Sequence, residues 1–142
     1  MRCLLLSILI GLVSILNVHA RADEQIALVS GMDGAVAMIS REEAEELYSG
    51  RTSSLRDGTP VRLLDHPPGQ LRDSFYEALI RKNALQTRAH WSRMVFSGRA
   101  RPPQQLTGTA SVSAVVKADP NAIGYLPANE VAEGIRILLL LP

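Results

Sequence analysis

The stretch VRLLDHPPGQLRDSFYEAL, residues Val61–Leu79, is the most informative about the fold. It contains a predicted strand, a loop with two prolines and a predicted helix, in that order. Val61–Leu64 is a short apolar run, which predicts a strand. Asp65–Gly69 contains two prolines, which end the preceding element and are tolerated where a helix begins. Apolar residues then recur at helical spacing, which predicts an amphipathic helix over about residues 70–82. These apolar residues are Leu71, Phe75, Ala78 and Leu79.

The rest of the chain continues this alternation. Ser40 and Glu43 form a capping box, which starts a helix that ends before Gly50. The run Ile135–Leu141 is continuously apolar, which predicts a strand covered on both faces. The pattern as a whole predicts an α/β domain with a small central sheet flanked by helices. The other predicted elements are strands at Gln25–Val29 and Ile123–Leu126, helices at residues 41–49 and 86–96, and a helix capped by Thr109 or Ser111 that ends at residues 119–121.

The helix start after Gly69 is the best candidate for an anion site. Such a start offers free backbone N–H groups and a partial positive charge. Arg72 would add a guanidinium fork and Ser74 a hydroxyl. The loop that begins at Ser30 and Gly31 follows the first strand and would approach the same ligand. The predicted ligand-binding residues are Ser30, Gly31, Arg72, Asp73 and Ser74. The alternative to an anion site is that Arg72 is a solvated helix residue and that Asp73 only complements the helix dipole.

The sequence gives little support for catalysis or for a metal site. His66 and His90 are 24 positions apart and lack the spacing of metal ligands. A triad of Asp65, His66 and Ser74 can be drawn, but the chain has no Gly-x-Ser-x-Gly nucleophile elbow. We therefore predict a protein that is not an enzyme and that uses no metal and no cofactor.

Composition narrows the classes of partner. The chain has 15 basic and 14 acidic residues, with no block of like charges, which disfavours a nucleic-acid-binding face. Arg99 and Arg101 flank a Gly- and Pro-containing segment. They either form the rim of a site for an anionic partner or are solvated surface residues. Trp91 and Tyr125 fit packing roles. The single cysteine, Cys3, lies in the N-terminal apolar segment, so the rest of the chain can form neither a disulfide nor a thiolate site.

Residues 1–22 predict a signal peptide. A positive start at Arg2 precedes the uncharged apolar run Cys3–Leu16, and small residues then allow cleavage after Ala20 or Ala22. The run is shorter than the about 20 apolar residues that span a bilayer. We therefore expect export to the periplasm, one domain at residues 23–142, and no integral membrane segment after cleavage. An uncleaved anchor is the alternative, whereas a lipoprotein is disfavoured because Cys3 precedes the apolar run.

Six stretches, in their order and spacing, resemble a known family. They are Ile26–Val29, Ser40–Arg51, Asp57–Val61, Leu71–Tyr76, Trp91–Gly98 and Asn121–Leu126. Together they are similar to the phosphate-binding proteins of bacterial ABC importers. The resemblance covers nearly all of the predicted mature chain. It implies a periplasmic-binding-protein-like α/β fold and no enzymatic activity. Members of that family clamp their ligand between two lobes, and this chain has the length of one.

The main departure from the family concerns the ligand. In the family an arginine is followed shortly by Ser-Gly-Thr at a helix start, which wraps the phosphate. Arg72 matches the arginine, but Asp73-Ser74-Phe75 follows, so the glycine is missing and Asp73 adds a negative charge. The resemblance therefore implies weak binding of phosphate or another small anion, with Arg72 and Ser74 as anchors.

Two functions remain open at this point. The first is an exported solute-binding module for a small anion. Because a lone lobe cannot enclose its ligand, this function requires an open site or a homodimer that rebuilds a cleft. The second is a ligand-free interaction module that docks on an envelope or transporter protein through an exposed apolar patch.

Overall fold

A computed structural model describes residues 24–142, so the predicted signal peptide lies outside the described residues. Within them the chain forms a five-stranded mixed sheet and four α-helices, which confirms the predicted fold class. The strands are β1 (Ile26–Gly31), β2 (Arg62–Asp65), β3 (Gln104–Gln105), β4 (Ala122–Pro127) and β5 (Ile135–Leu141). The helices are α1 (Arg41–Tyr48), α2 (Gln70–Ile80), α3 (Ala84–Phe96) and α4 (Thr109–Ala118), and a short 3₁₀ helix spans Ala128–Glu130.

The direction of the strands decides which loops can meet. The strand order is β3-β2-β4-β1-β5. β2 runs parallel to β3 and β4, whereas β1 runs antiparallel to β4 and β5. The carboxyl ends of β2 and β4 therefore lie at one end of the sheet, and the carboxyl end of β1 lies toward the other.

The core has two parts, one on each face of the sheet. On one face, alternate residues of β1 and β4 pack with the buried aromatic side chains of α1 and α2. On the other face, the intervening strand residues pack with Val112 and Val116 of α4. The domain is therefore a three-layer arrangement of helices, sheet and helix. No helix within residues 24–142 has the length and hydrophobicity needed to cross a bilayer.

Local capping signals account for the helix starts. The predicted capping box of α1 is confirmed, because the backbone N–H of Glu43 donates to Ser40 Oγ at 3.1 Å and that of Ser40 donates to Glu43 Oε2 at 3.0 Å. α3 begins at Ala84, two residues earlier than predicted, because Asn83 and Gln86 form a second capping box. The prediction that Thr109 or Ser111 caps α4 is wrong, since Gly108 occupies the N-cap position.

The prediction for the last strand is also wrong in one respect. β5 is an edge strand that pairs with β1 along one side. Its side chains Ile137 and Leu140 are 45% and 46% exposed. A continuous apolar run is therefore not evidence that both faces are covered, because an edge strand can leave apolar side chains in contact with solvent.

Candidate functional site

Asp65, the last residue of β2, is the centre of a buried polar cluster. Its side chain is 2% exposed and accepts four hydrogen bonds. Oδ1 accepts from the backbone N–H of His66 at 2.9 Å and from the Tyr125 hydroxyl at 2.5 Å. Oδ2 accepts from the Tyr76 hydroxyl at 2.9 Å and from Arg72 Nε at 3.1 Å. The buried carboxylate is thus fully satisfied by the protein, and it holds four groups in place.

The tyrosines of this cluster act as neutral donors. Burial, and after it the negative charge of Asp65, raises the pKa of both Tyr76 and Tyr125 well above the ordinary value. Burial likewise raises the pKa of Tyr48, whose hydroxyl donates to the backbone carbonyl of Leu64 at 2.9 Å. Both hydroxyls bound to Asp65 therefore keep their protons at physiological pH and hold the carboxylate through hydrogen bonds.

Arg72, in the first turn of α2, connects this cluster to the surface. Its side chain is 13% exposed, and its guanidinium carbon lies 5.0 Å from the centre of the Tyr76 ring. Burial alone would lower the pKa of Arg72, but the Asp65 carboxylate raises it above the ordinary value. Only Nε is used in this ion pair, and Nη1 and Nη2 have no hydrogen-bond partner within residues 24–142. Arg72 is thus a fixed cation with free donors.

An open cleft of about 920 Å³ lies beside Arg72. Its walls come from the start of α2, from α3 and from the segment around β3, and most of their side chains are apolar. Phe96 is 96% exposed at the end of α3, and the buried indole N–H of Trp91 has no hydrogen-bond partner among residues 24–142. The lining residues include Gly69, Arg72, Asp73, Leu85, Arg88, Trp91, Val95, Phe96, Pro102 and Pro103.

The formal charges that line the cleft cancel. Asp65 neutralises Arg72 in the ion pair, and Asp73 and Arg88 contribute one charge of each sign. The cleft therefore has no strong positive field, and recognition of an anion there depends on short-range hydrogen bonds from a fixed donor.

The structure brings together two of the five predicted ligand-binding residues. Arg72 and Asp73 both line the cleft, whereas Ser74 is exposed on α2 and does not line it. Ser30 and Gly31 end β1, which runs opposite to β2, so they lie toward the other end of the sheet. The Ser30 hydroxyl is buried and donates to the carbonyl of Val36 at 2.8 Å.

Gly31 has a packing role in this structure. A Cβ atom at this position would lie 2.3 Å from the backbone carbonyl oxygen of Val116 in α4. Glycine is therefore needed for the close approach of β1 to this helix. This packing and the Ser30 hydrogen bond hold the loop after β1 in place. Because β1 runs opposite to β2, this loop lies away from Arg72.

The triad of Asp65, His66 and Ser74 considered from the sequence is not formed in the structure. His66 is buried, and its Nε2 bonds the backbone carbonyl of Tyr125 at 2.7 Å. Ser74 makes no hydrogen bond to His66. Within residues 24–142 no group of three or more histidine, cysteine, aspartate or glutamate side chains is arranged to hold a metal ion.

The sequence does not predict the role of Asp65 as the centre of a cluster with Tyr76 and Tyr125. An aspartate at the end of an apolar strand is a usable signal, because a carboxylate buried there requires hydrogen-bond donors. In the structure Tyr76 and Tyr125 supply these donors. Tyr125 also has a packing role, because its ring stacks on that of Phe75 with 3.6 Å between the ring centres.

Comparisons with known proteins concern the fold. No family model matches the sequence, and no curated protein matches it at a significant level. One similar solved structure is a protein from Clostridium perfringens, described as a phosphate ABC transporter substrate-binding protein and solved with phosphate bound. The match has a TM-score of 0.61 and 18% sequence identity, and it covers 80% of this chain and 43% of that protein. An ABC-type phosphate transport receptor from Vibrio cholerae matches with a TM-score of 0.60 and 12% identity over 80% of this chain and 44% of its own.

A third solved structure agrees with these two. PstS from Borrelia burgdorferi matches with a TM-score of 0.57 and 12% identity over 81% of this chain and 47% of its own. The chain thus spans less than half the length of the proteins it matches. At this level of identity the similarity establishes architecture. The chain has the α/β fold of one periplasmic-binding-protein-like lobe.

Proposed function

We propose that the chain is a solute-binding module that holds a small anion at Arg72, with inorganic phosphate as the first candidate. The observation that carries this proposal is the ion pair of Arg72 with the buried Asp65, which fixes the guanidinium and leaves both Nη groups without a partner within residues 24–142. A fixed guanidinium presents parallel N–H donors that match two oxygens of a phosphate or carboxylate.

The start of α2 supports the same site. Gly69 is the N-cap residue, makes no side-chain capping hydrogen bond and lines the cleft. The first N–H groups of a helix lack partners inside the helix and carry a partial positive charge, so they bind anions. An oxyanion between these groups and Arg72 would receive donors from two directions.

We expect this binding to be weak. Asp65 already neutralises Arg72, and the Asp73 carboxylate lines the cleft close to the proposed ligand. A single open lobe also leaves one side of the ligand in water. A dissociation constant of about 1 mM, equivalent to about −4 kcal/mol, is the expected scale. A homodimer that closes the cleft would tighten it.

We further propose that the protein acts in the periplasm and has no catalytic role. The N-terminal pattern of a signal peptide supports export, and the sequence after Cys3 contains no cysteine that an oxidising compartment would modify. The buried, hydrogen-bonded states of His66 and Asp65 support a structural role for the residues that a hydrolase would need.

Thermal unfolding with and without phosphate tests the proposed function. A tenfold excess of phosphate over its dissociation constant should stabilise the wild-type protein by about 1.4 kcal/mol, which corresponds to a rise in Tm of roughly 5 °C. Arg72→Ala should abolish this rise, and each variant is compared with its own melt in sodium chloride of equal ionic strength. Sulfate and an organic phosphate are measured in parallel to define the ligand class.

Arg93→Ala is the matched control, because Arg93 is an exposed arginine of α3 that does not line the cleft. It should keep the full phosphate-dependent rise. An equal rise in Arg72→Ala, or no rise in the wild-type protein with any of the three anions, would contradict the proposed function.

A further inference from the structure

A second groove, of about 1190 Å³, lies on the other side of the segment 99–104. Four exposed arginines line it, and we call it the arginine groove: Arg51, Arg62, Arg99 and Arg101. No aspartate or glutamate is among its lining residues within the part of the chain that the structure describes. Arg72 does not line it, although the arginine groove and the cleft share Val95, Pro102 and Pro103 and are therefore neighbouring sites.

Three of these arginines have no ion-pair partner in the part of the chain that the structure describes. Arg62 donates to Asp119 Oδ2 at 3.1 Å and to Gln104 Oε1 at 3.0 Å. The side chains of Arg51, Arg99 and Arg101 make no ion pair or hydrogen bond within residues 24–142. Because the whole chain has a net charge of only +1, this local excess of positive charge is a distinct feature of the surface. Like charges gathered in a concave surface raise the local concentration of anionic groups.

The floor of the groove favours a peptide over other anions. Apolar side chains also line the groove, among them Leu63 and Val95, and the groove is far larger than a single phosphate ion. Gln104 also lines the groove and belongs to β3, an edge strand whose outer side has no strand partner within residues 24–142. No aromatic side chain is among the lining residues, and single-stranded nucleic acids are held largely by stacking on aromatic rings.

We propose that the arginine groove is a docking site for an acidic, extended peptide segment of a protein partner. Carboxylates of the segment pair with Arg51, Arg99 and Arg101, and its apolar side chains cover the floor between them. The charged contacts of this interaction do not use Arg72, which does not line the groove.

Fluorescence polarisation with a labelled polyglutamate peptide tests this proposal on the purified protein. The wild-type protein should bind the peptide saturably at low ionic strength, and added salt should weaken binding because the charges are exposed. The double variant Arg99→Glu/Arg101→Glu should weaken binding by at least about tenfold, since it replaces two attractive contacts by repulsive ones. All substituted side chains are exposed, and circular dichroism verifies that each variant is folded.

Two controls separate this proposal from its alternatives. Arg81→Glu/Lys117→Glu changes the net charge by the same amount outside the groove and should leave the affinity within about twofold. Arg72→Ala should also leave it unchanged, so that a failure of phosphate binding and a failure of peptide docking are distinguishable. Equal losses in both double variants, equally tight binding of a single-stranded oligonucleotide of matched charge, or the absence of saturable peptide binding would overturn the proposal.

Discussion

Asp65→Asn is expected to lower the free energy of unfolding by about 3–5 kcal/mol, because it removes one partner of a buried ion pair. The Asp65 carboxylate accepts four hydrogen bonds, among them one from Arg72 and one from Tyr125. An asparagine amide offers one oxygen and turns its NH₂ group toward groups that are themselves donors. The Arg72 cation would also remain mostly buried without its counter-charge. Since domains are commonly stable by about 5–15 kcal/mol, such a loss is a large fraction of the total.

Urea unfolding, followed by the fluorescence of the single tryptophan, Trp91, measures this loss. Asp33→Asn is the control because Asp33 is exposed in the loop after β1. Its effect should stay within about 0.5 kcal/mol, as for most surface substitutions. A loss below about 1 kcal/mol for Asp65→Asn would contradict the central role of this carboxylate, since that is the size of one ordinary hydrogen bond.

The second large effect is unfolding at alkaline pH. All three tyrosines, Tyr48, Tyr76 and Tyr125, are buried, and burial raises the pKa of each. The folded state therefore keeps their protons, whereas the unfolded chain releases them near the ordinary pKa of about 10. The stabilisation is fully present below that pH and is lost as the pH rises above it. With all three unfolded-state tyrosines ionised, stability should fall by about 4 kcal/mol per pH unit.

Tyrosinate absorbance and far-ultraviolet circular dichroism, recorded over the same alkaline titration, measure this effect. Both signals should change in one cooperative step above the pH at which free tyrosine ionises, because the hydroxyls become accessible only on unfolding. Gradual ionisation at the ordinary tyrosine pKa of about 10, with unchanged circular dichroism, would contradict the buried positions of these rings.

Local sequence signals predicted most of the elements because the physics behind them is local. The Ser40–Glu43 capping box and the apolar spacing from Leu71 to Leu79 each involve residues within a few turns of one another, and α1 and α2 form where they indicate. The pairing partners of a strand lie far away in sequence. The apolar run Ile135–Leu141 therefore predicted a strand, but its edge position depends on where β1 and β4 pair.

The candidate site was predicted in part for the same reason. Arg72 and Asp73 follow directly from the strand–loop–helix unit, and both line the cleft. The prediction of Ser30 and Gly31 rests on the rule that ligands bind at the carboxyl ends of parallel strands, and this rule does not apply to β1, which is antiparallel to its neighbours. The Asp65 cluster also depends on the tertiary fold, because Tyr125 comes from β4, 60 residues further along the chain.

The resemblance to phosphate-binding proteins predicted the architecture, which the solved structures share. The ligand is a separate question, since the glycine that wraps phosphate in that family is missing here. In the structure Asp65 compensates the charge of Arg72, and Asp73 lines the same cleft, so the binding that we propose is expected to be weak. Asp73 is therefore the residue whose change should improve binding.

A phosphate titration followed by Trp91 fluorescence tests the central claim most directly, because this tryptophan lies in the wall of the cleft. In sodium chloride of constant ionic strength, the wild-type protein should give a saturable change with a dissociation constant of about 1 mM. Asp73→Asn should tighten binding about two- to fivefold by removing a like charge from the site, although the loss of a helix-start acid should lower the stability of the fold slightly. A signal that does not saturate, or an affinity that Asp73→Asn weakens, would contradict an anion site at Arg72.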